Sequence, residues 1–387
     1  MSGEWGLYVH IPFCQARCTY CDFNTVTGMG EDMHERYVKA LIQELAEERL
    51  PDGSLASIYF GGGTPSLVDA DLLGAVIDQV RLKTALAPRT EITVETNPGT
   101  VTAEKLSRWA QAGVNRLSIG AQALQNHHLS ALNRIHDAGA IQDTVSLARN
   151  HGFSNISLDA IYGIPGQTLT EWQATVTGLL ALSPDHLSLY ALMVEEGTPL
   201  QKSLERGEQR LPLGDLVADM ADWAEKALTD QGLMPYEISN YARPGFASRH
   251  NQLYWKLLPY LALGAGAHAY HPGRRWWNVR GVRRYMEMVE HGQDPVDGEE
   301  ILTAAEEMRE YLWLGLRQWV GVSVPAFSER FGCHPKEAFG PVWLSLGNMG
   351  LVAWHDSRII LTERGRDMAN VVARALVDAP LALSVSP

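Results

Sequence analysis

Between residues 7 and 190 the chain alternates short apolar runs with helix-like segments, and this rhythm restricts the fold more than any other feature. Leu7–Ile11, Ser57–Phe60, Glu91–Glu95, Arg116–Ile119, Asn155–Asp159 and His186–Tyr190 read as strands. Residues 32–48, 71–82, 103–112, 141–151 and 171–182 read as the intervening helices. On the first of these, Met33, Tyr37, Leu41 and Leu45 recur every four residues and share one face. Repeated strand–helix units with right-handed crossovers build a parallel sheet, closed or open. The expected class is therefore α/β, a partial parallel (β/α)6 barrel with a smaller α+β domain after it. In barrels of this kind the chemistry sits at the C-terminal ends of the strands.

The sequence divides at about 240, 300 and 376. Residues 1–240 form the expected barrel, and 241–300 a connecting region rich in Gly, Pro and aromatic residues. Residues 301–376 form a C-terminal domain. It opens with an amphipathic helix, Thr303–Leu316, and ends in a hairpin, Leu351–Trp354 and Arg358–Leu361, a winged-helix-like pattern. The tail 377–387 reads as frayed. With 45% hydrophobic residues the chain can build a full core. It has no apolar run long enough to span a bilayer and no secretory signal at its start, so the expected location is cytoplasmic. Four cysteines, three of them clustered, fit a reducing compartment. A net charge of −13 argues against nucleic acid as a partner. Arg274, Arg275, Arg280, Arg283 and Arg284 are the one local basic patch, read as solvated surface.

The cluster is Cys14, Cys18 and Cys21, with Cys-x3-Cys-x2-Cys spacing. Cys333, the remaining cysteine, is far off and reads as an idle thiol. Three thiolates at short spacing suit a [4Fe–4S] cluster with one iron open to a small molecule such as S-adenosylmethionine. The alternative is zinc completed by His10 or Asp22, at a spacing unusual for zinc. A c-type haem attachment is excluded, because Asp22 follows Cys21 where a histidine is needed. Gly61-Gly-Gly-Thr-Pro65 follows a strand directly, and its glycines allow a ligand to approach the backbone closely. Glu95, Gln122 and Asp159 lie at or just past the ends of three strands, where carboxylates can accept from ribose hydroxyls or an amino group. Arg134 can form a bidentate fork with a ligand carboxylate.

Together Tyr8-Val-His-Ile-Pro-Phe-Cys14, the cysteine triplet, Gly61–Pro65, Glu95, Gly120-Ala-Gln122 and Asp159-Ala-Ile-Tyr-Gly-Ile-Pro-Gly-Gln167 resemble the coproporphyrinogen dehydrogenase group of radical SAM proteins. The resemblance covers nearly the whole chain. It implies that Cys14, Cys18 and Cys21 ligate the cluster, and that Tyr8, Tyr20, Gly62, Glu95, Gln122, Arg134 and Asp159 contact S-adenosylmethionine. Gly63 and Thr64 would extend that pocket wall. The dehydrogenases carry a fourth cysteine two residues after the third, where this chain has Phe23, and a long extension before the motif, where this chain has thirteen residues. Both departures resemble the other branch, the HemW-type haem chaperones. His250-Asn-Gln-Leu-Tyr-Trp255 is similar to a motif of that branch. In it His250 offers an axial iron ligand, and Asn251, Tyr254 and Trp255 complete a haem site with flat faces for a porphyrin. The resemblance implies haem as cargo, acceptor haemoproteins such as respiratory cytochromes, peripheral contact with membrane proteins, and a homodimer. The competing expectation is a radical oxidoreductase acting on coproporphyrinogen III or a related tetrapyrrole.

Overall fold

The computed structural model describes residues 3–381. The six expected strands are present as Glu4–Ile11, Ser54–Gly62, Glu91–Thr96, Arg116–Gln122, Ile156–Tyr162 and His186–Ala191. They lie side by side in chain order, every pair parallel. Side chains alternate across a strand, and here the alternation separates two chemistries. Leu7, Val9, Ile58, Phe60, Val94, Leu117 and Leu158 pack outward against Tyr37, Leu41, Val76 and Trp109 of the helices. The intervening positions turn inward, and they are polar: Tyr8, Tyr59, Glu95, Ser118, Asp159 and Ser188.

Residues 241–300 are not a connector. Tyr260–Leu263 pairs in parallel with Glu4–Ile11 and extends the sheet on that side. His268–His271, Arg274–Asn278 and Val296–Ile301 follow antiparallel. At the opposite edge Asn240–Ala242 pairs antiparallel with His186–Ala191. The result is one open twelve-stranded sheet rather than a closed barrel. The basic patch is partly neutralised by this arrangement. Arg274 pairs with Glu299 at 2.7 Å, and Arg275 with Glu300 at 3.2 Å and Glu310 at 2.5 Å.

The C-terminal part has its own core of Met308, Leu312, Phe327, Phe339, Trp343, Ile359 and Val372. Its first helix, Ala304–Leu316, starts at a capping box between Thr303 and Glu306, which satisfies two otherwise orphaned N–H groups. The expected hairpin forms from Val352–His355 and Arg358–Leu361, with Val322–Ser323 as a third strand. The tail departs from expectation. Ala369–Val377 is a helix, Ala379 is buried, and the Ala379 carbonyl accepts from Arg309 Nε at 3.2 Å and Nη2 at 2.9 Å. The rest of that expected tail, 382–387, lies outside the described residues. No helix among the described residues is long and apolar enough to cross a membrane.

Candidate functional site

Cys14 ends a two-residue strand, Phe13–Cys14, paired with Val26–Thr27, and the loop between them carries Cys18 and Cys21. All three thiols are free, half-buried and turned to a cavity of about 380 Å³ at the C-terminal ends of the strands. Burial pushes the Cys14 and Cys21 thiols up. The glycine loop lines this cavity and has a structural job as well. Gly62 N donates to Glu95 Oε2 at 3.0 Å, Gly63 N to the Ile11 carbonyl at 2.7 Å, and Thr64 N to the Phe13 carbonyl at 2.8 Å. Those N–H groups are thus engaged with the protein. The missing side chains also make room for His10 and for the Ile11–Phe13 backbone that leads into the cysteine loop. Gly62 has φ +110, and a Cβ there would stand 2.4 Å from His10; one on Gly63 would stand 2.7 Å from the Phe13 carbonyl.

Arg134 joins the loops to the sheet. Its Nη1 lies 3.5 Å from Cys18 Sγ, and its Nη2 donates to the Gly120 carbonyl at 3.0 Å and to Asn97 Oδ1. Asn97 in turn donates to Thr64 Oγ1 at 3.1 Å, and that hydroxyl lies 3.6 Å from Cys14 Sγ. Glu95 accepts from Tyr59 at 2.8 Å, and burial raises its carboxyl to about 7. Asp159 accepts from Ser118 at 2.9 Å and Ser157 at 3.3 Å; burial raises it too. Gln122 holds a left-handed backbone, φ 64, at an irregularity in strand pairing, which turns the end of its strand. Tyr20, Gly62, Gly63, Thr64, Glu95, Gln122, Arg134 and Asp159 all line the same cavity as the cysteines.

Tyr8 is not among the lining residues; its hydroxyl is 3.0 Å from His10 Nδ1. His10 Nε2 is 2.8 Å from the Asn24 carbonyl, so both ring nitrogens of His10 are occupied. That removes His10 as a zinc ligand. The three sulfurs also do not gather within 4.8 Å of one another. Ligands of one tetrahedral zinc sit about 3.8 Å apart when Zn–S bonds are normal. Wider-spaced thiols flanked by Arg134 and Thr64 as donors fit a polynuclear iron–sulfur group.

The His250–Trp255 segment is the largest departure from expectation. It lies in the short helix Arg249–Trp255, seated at the N-terminal ends of the strands, the floor of the open barrel. Glu91 caps it, accepting from Arg249 N at 3.1 Å, His250 N at 3.2 Å and Ser248 Oγ at 3.3 Å. His250 is 1% exposed. Its Nδ1 lies 2.8 Å from Ser57 Oγ, its Nε2 2.8 Å from the Tyr254 hydroxyl, and its ring stacks on Tyr59. Burial, and then Arg116, lower its pKa to about 3. No ring nitrogen is left for an iron. Trp255 is covered by the Arg317 guanidinium, 4.9 Å from the ring. Only Asn251 of the motif lines the cavity, so this helix forms a plug rather than an open porphyrin platform.

Sequence reasoning missed Tyr59, Asn97, Arg116, Ser118, Ser188 and Tyr190, which also line the cavity. Period-two alternation within a strand carries the signal for Arg116 with Ser118 and for Ser188 with Tyr190.

Two family models match the chain: the Radical SAM superfamily over residues 8–177 and the HemN C-terminal domain over residues 302–368. The chain is 36% identical to the haem chaperone HemW of Bacillus subtilis, across 96% of this chain and 98% of that one. It is 36% identical to the haem chaperone HemW of Mycobacterium tuberculosis, across 97% and 96%. The chain belongs to the HemW family of radical SAM proteins. Its fold is also that of coproporphyrinogen III oxidase (HemN) from Escherichia coli, with a TM-score of 0.84 at 21% identity over 97% of this chain and 91% of that one. In this HemW-family chain Phe23 is 62% exposed at the mouth of the cavity.

Proposed function

We propose that this protein is a cytoplasmic haem chaperone that binds haem and transfers it to apo-haemoproteins. In this reading Cys14, Cys18 and Cys21 hold a [4Fe–4S] cluster, and S-adenosylmethionine occupies the cavity beside it. The observation that carries the reading is the convergence of three thiols with Glu95, Gln122, Arg134 and Asp159 on one cavity, in a chain so similar to proteins named haem chaperones. When bound, the cluster and S-adenosylmethionine supply one-electron chemistry. The chain's residues have simpler tasks. Arg134 screens the thiolate of Cys18 and orders Asn97. Glu95 and Asp159, held by Tyr59 and by two serines, present carboxylate oxygens to hydroxyl or ammonium groups. The outward helices bury the opposite face of the sheet and leave its inner face to the ligand.

Haem docking through His250 is not part of this reading, because the ring is buried with both nitrogens bonded. Acceptors such as respiratory cytochromes, contact with membrane proteins and a homodimer complete the proposal. The test is a haem titration of anaerobically reconstituted protein, with coproporphyrinogen III turnover assayed on the same preparation. Stoichiometric haem binding without turnover is expected. Turnover would restore the oxidoreductase reading despite Phe23, and absence of haem binding would overturn the chaperone reading.

A further inference from the structure

The sheet that carries the cysteine site has a second group of ligand-type side chains, on the outer side of its wall. His127 and His128 lie in the short helix Asn126–Ala131, between Gln122 and Arg134 of the cavity. Glu171 lies in the first turn of the helix Leu169–Ala181, which follows the strand carrying Asp159. The ligand atoms of these three residues fall within 4.8 Å of one another. His127 Nε2 is 3.1 Å from Glu171 Oε1, and His128 Nε2 is 3.5 Å from Glu171 Oε2.

Those separations have a chemical meaning. Nitrogen and oxygen ligands on one tetrahedral zinc, with bonds near 2.1 Å, stand about 3.4 Å apart. The group is also held in place. Glu171 Oε2 accepts from Thr168 N at 2.9 Å and Thr168 Oγ1 at 2.8 Å, fixing the carboxylate. Gln125 Nε2 donates to the Glu171 carbonyl at 2.9 Å, and Thr175 Oγ1 to Gln125 Oε1 at 2.9 Å, tying the two helices together. A second observation points to a ligand. His128 is 2% exposed, and its buried Nε2 makes no hydrogen bond of ordinary geometry, its nearest partner being the Glu171 carboxylate at 3.5 Å. A buried nitrogen so poorly paired calls for an explanation.

We propose that His127, His128 and Glu171 bind a divalent cation of the zinc class. The cation clamps the segment bearing Gln122 and Arg134 to the helix after the Asp159 strand. Two imidazoles and a carboxylate suit zinc, and the exposed side of His127 leaves a fourth position for water. The site is separate from the cysteine loop and does not depend on the haem reading.

The experiment uses the full chain with its cluster reconstituted, equilibrated against chelator-buffered Zn²⁺. Zinc, iron and sulfide are then counted in the same sample. One zinc per chain is expected, with iron and sulfide unchanged. His127 has a side chain 64% exposed, so His127→Ala keeps the fold while removing one ligand. Zinc affinity should drop at least about tenfold in that variant, by analogy with the loss when a ligand's support is removed. Zinc should also raise the melting temperature of the parent but not of the variant. Equal zinc binding by parent and variant, or zinc that appears only as iron is lost, would overturn the proposal.

Discussion

Removing the His250 ring tests whether the Arg249–Trp255 helix is a plug or a haem site. His250→Ala deletes a side chain that is 1% exposed and stacks on Tyr59. The lost burial costs about 2 kcal/mol. Ser57 Oγ and the Tyr254 hydroxyl, each 2.8 Å from the ring, lose their partner, at about 1 kcal/mol each. The expected destabilisation is about 4 kcal/mol, which for a chain of this length lowers the melting temperature by about 5 °C. A pH signature accompanies it. With a folded pKa of about 3, against an unfolded value of 6.5, His250 takes up its proton only on unfolding. Stability present above pH 6.5 is therefore lost as the pH falls from 6.5 towards 3, with a slope of about 1.4 kcal/mol per unit from this one group. His250→Ala removes that slope. The assays are urea unfolding between pH 4 and 8 and a haem titration of both proteins. Haem affinity should stay within about twofold. A tenfold loss of haem affinity with unchanged unfolding would refute the plug and return His250 to the haem.

Three further outcomes follow from the site and the tail. Replacing Cys14, Cys18 and Cys21 with Ser should abolish the visible absorbance and the iron and sulfide content of the reconstituted protein; a full complement would remove them as ligands. Glu95, raised to about 7, accepts from a cationic ligand only when ionised, so S-adenosylmethionine affinity should rise about tenfold between pH 6 and 8. In the unliganded chain the same shift acts in the opposite sense, with stability present below pH 4.5 lost as the pH rises through about 7. A flat calorimetric pH profile would place Glu95 out of contact with the ligand. Arg309→Ala should cost about 1–2 kcal/mol by freeing the Ala379 carbonyl, and limited proteolysis should then cut behind Val377. Unchanged proteolysis would show that the C-terminal helix holds itself.

The six parallel strands were legible because each is a short apolar run with a helix of matching period after it. The same alternation placed Glu95 and Asp159 at the site. Residues 260–301 were not legible for a physical reason. The strands are four to six residues long; three of them carry Arg, His or Glu, and the fourth, Tyr260–Leu263, is apolar but pairs remotely, as in Gly6 with Tyr260. A short polar strand offers little apolar alternation to read. The Gly61–Thr64 loop was legible as a turn after a strand, while its second task, making room for His10 and the Ile11–Phe13 backbone, was not. Arg116 was passed over because it begins a strand and reads as its end. It is 2% exposed, lines the cavity, and has Nε and Nη1 without hydrogen-bond partners.

The capping of the Arg249–Trp255 helix by Glu91 sets an order on assembly. Glu91, Ser57 and Gly6 meet the helix across gaps of well over a hundred residues, Ser57 to His250 being 193 apart in sequence. Contacts that remote form late, after shorter loops have closed. During synthesis the first six strands must therefore wait as a vessel without a base, its polar lining wet from below. At the other end the cysteine loop is bracketed by its two short strands by residue 27 and gains its bonds to the glycine loop by residue 64, those to Leu132 and Arg134 coming later. The first rim contacts thus form long before the bottom is sealed, but a nascent chain stalled before residue 249 would still lack the Ala265 and Arg280 carbonyls that hold Asn24 of the cysteine loop.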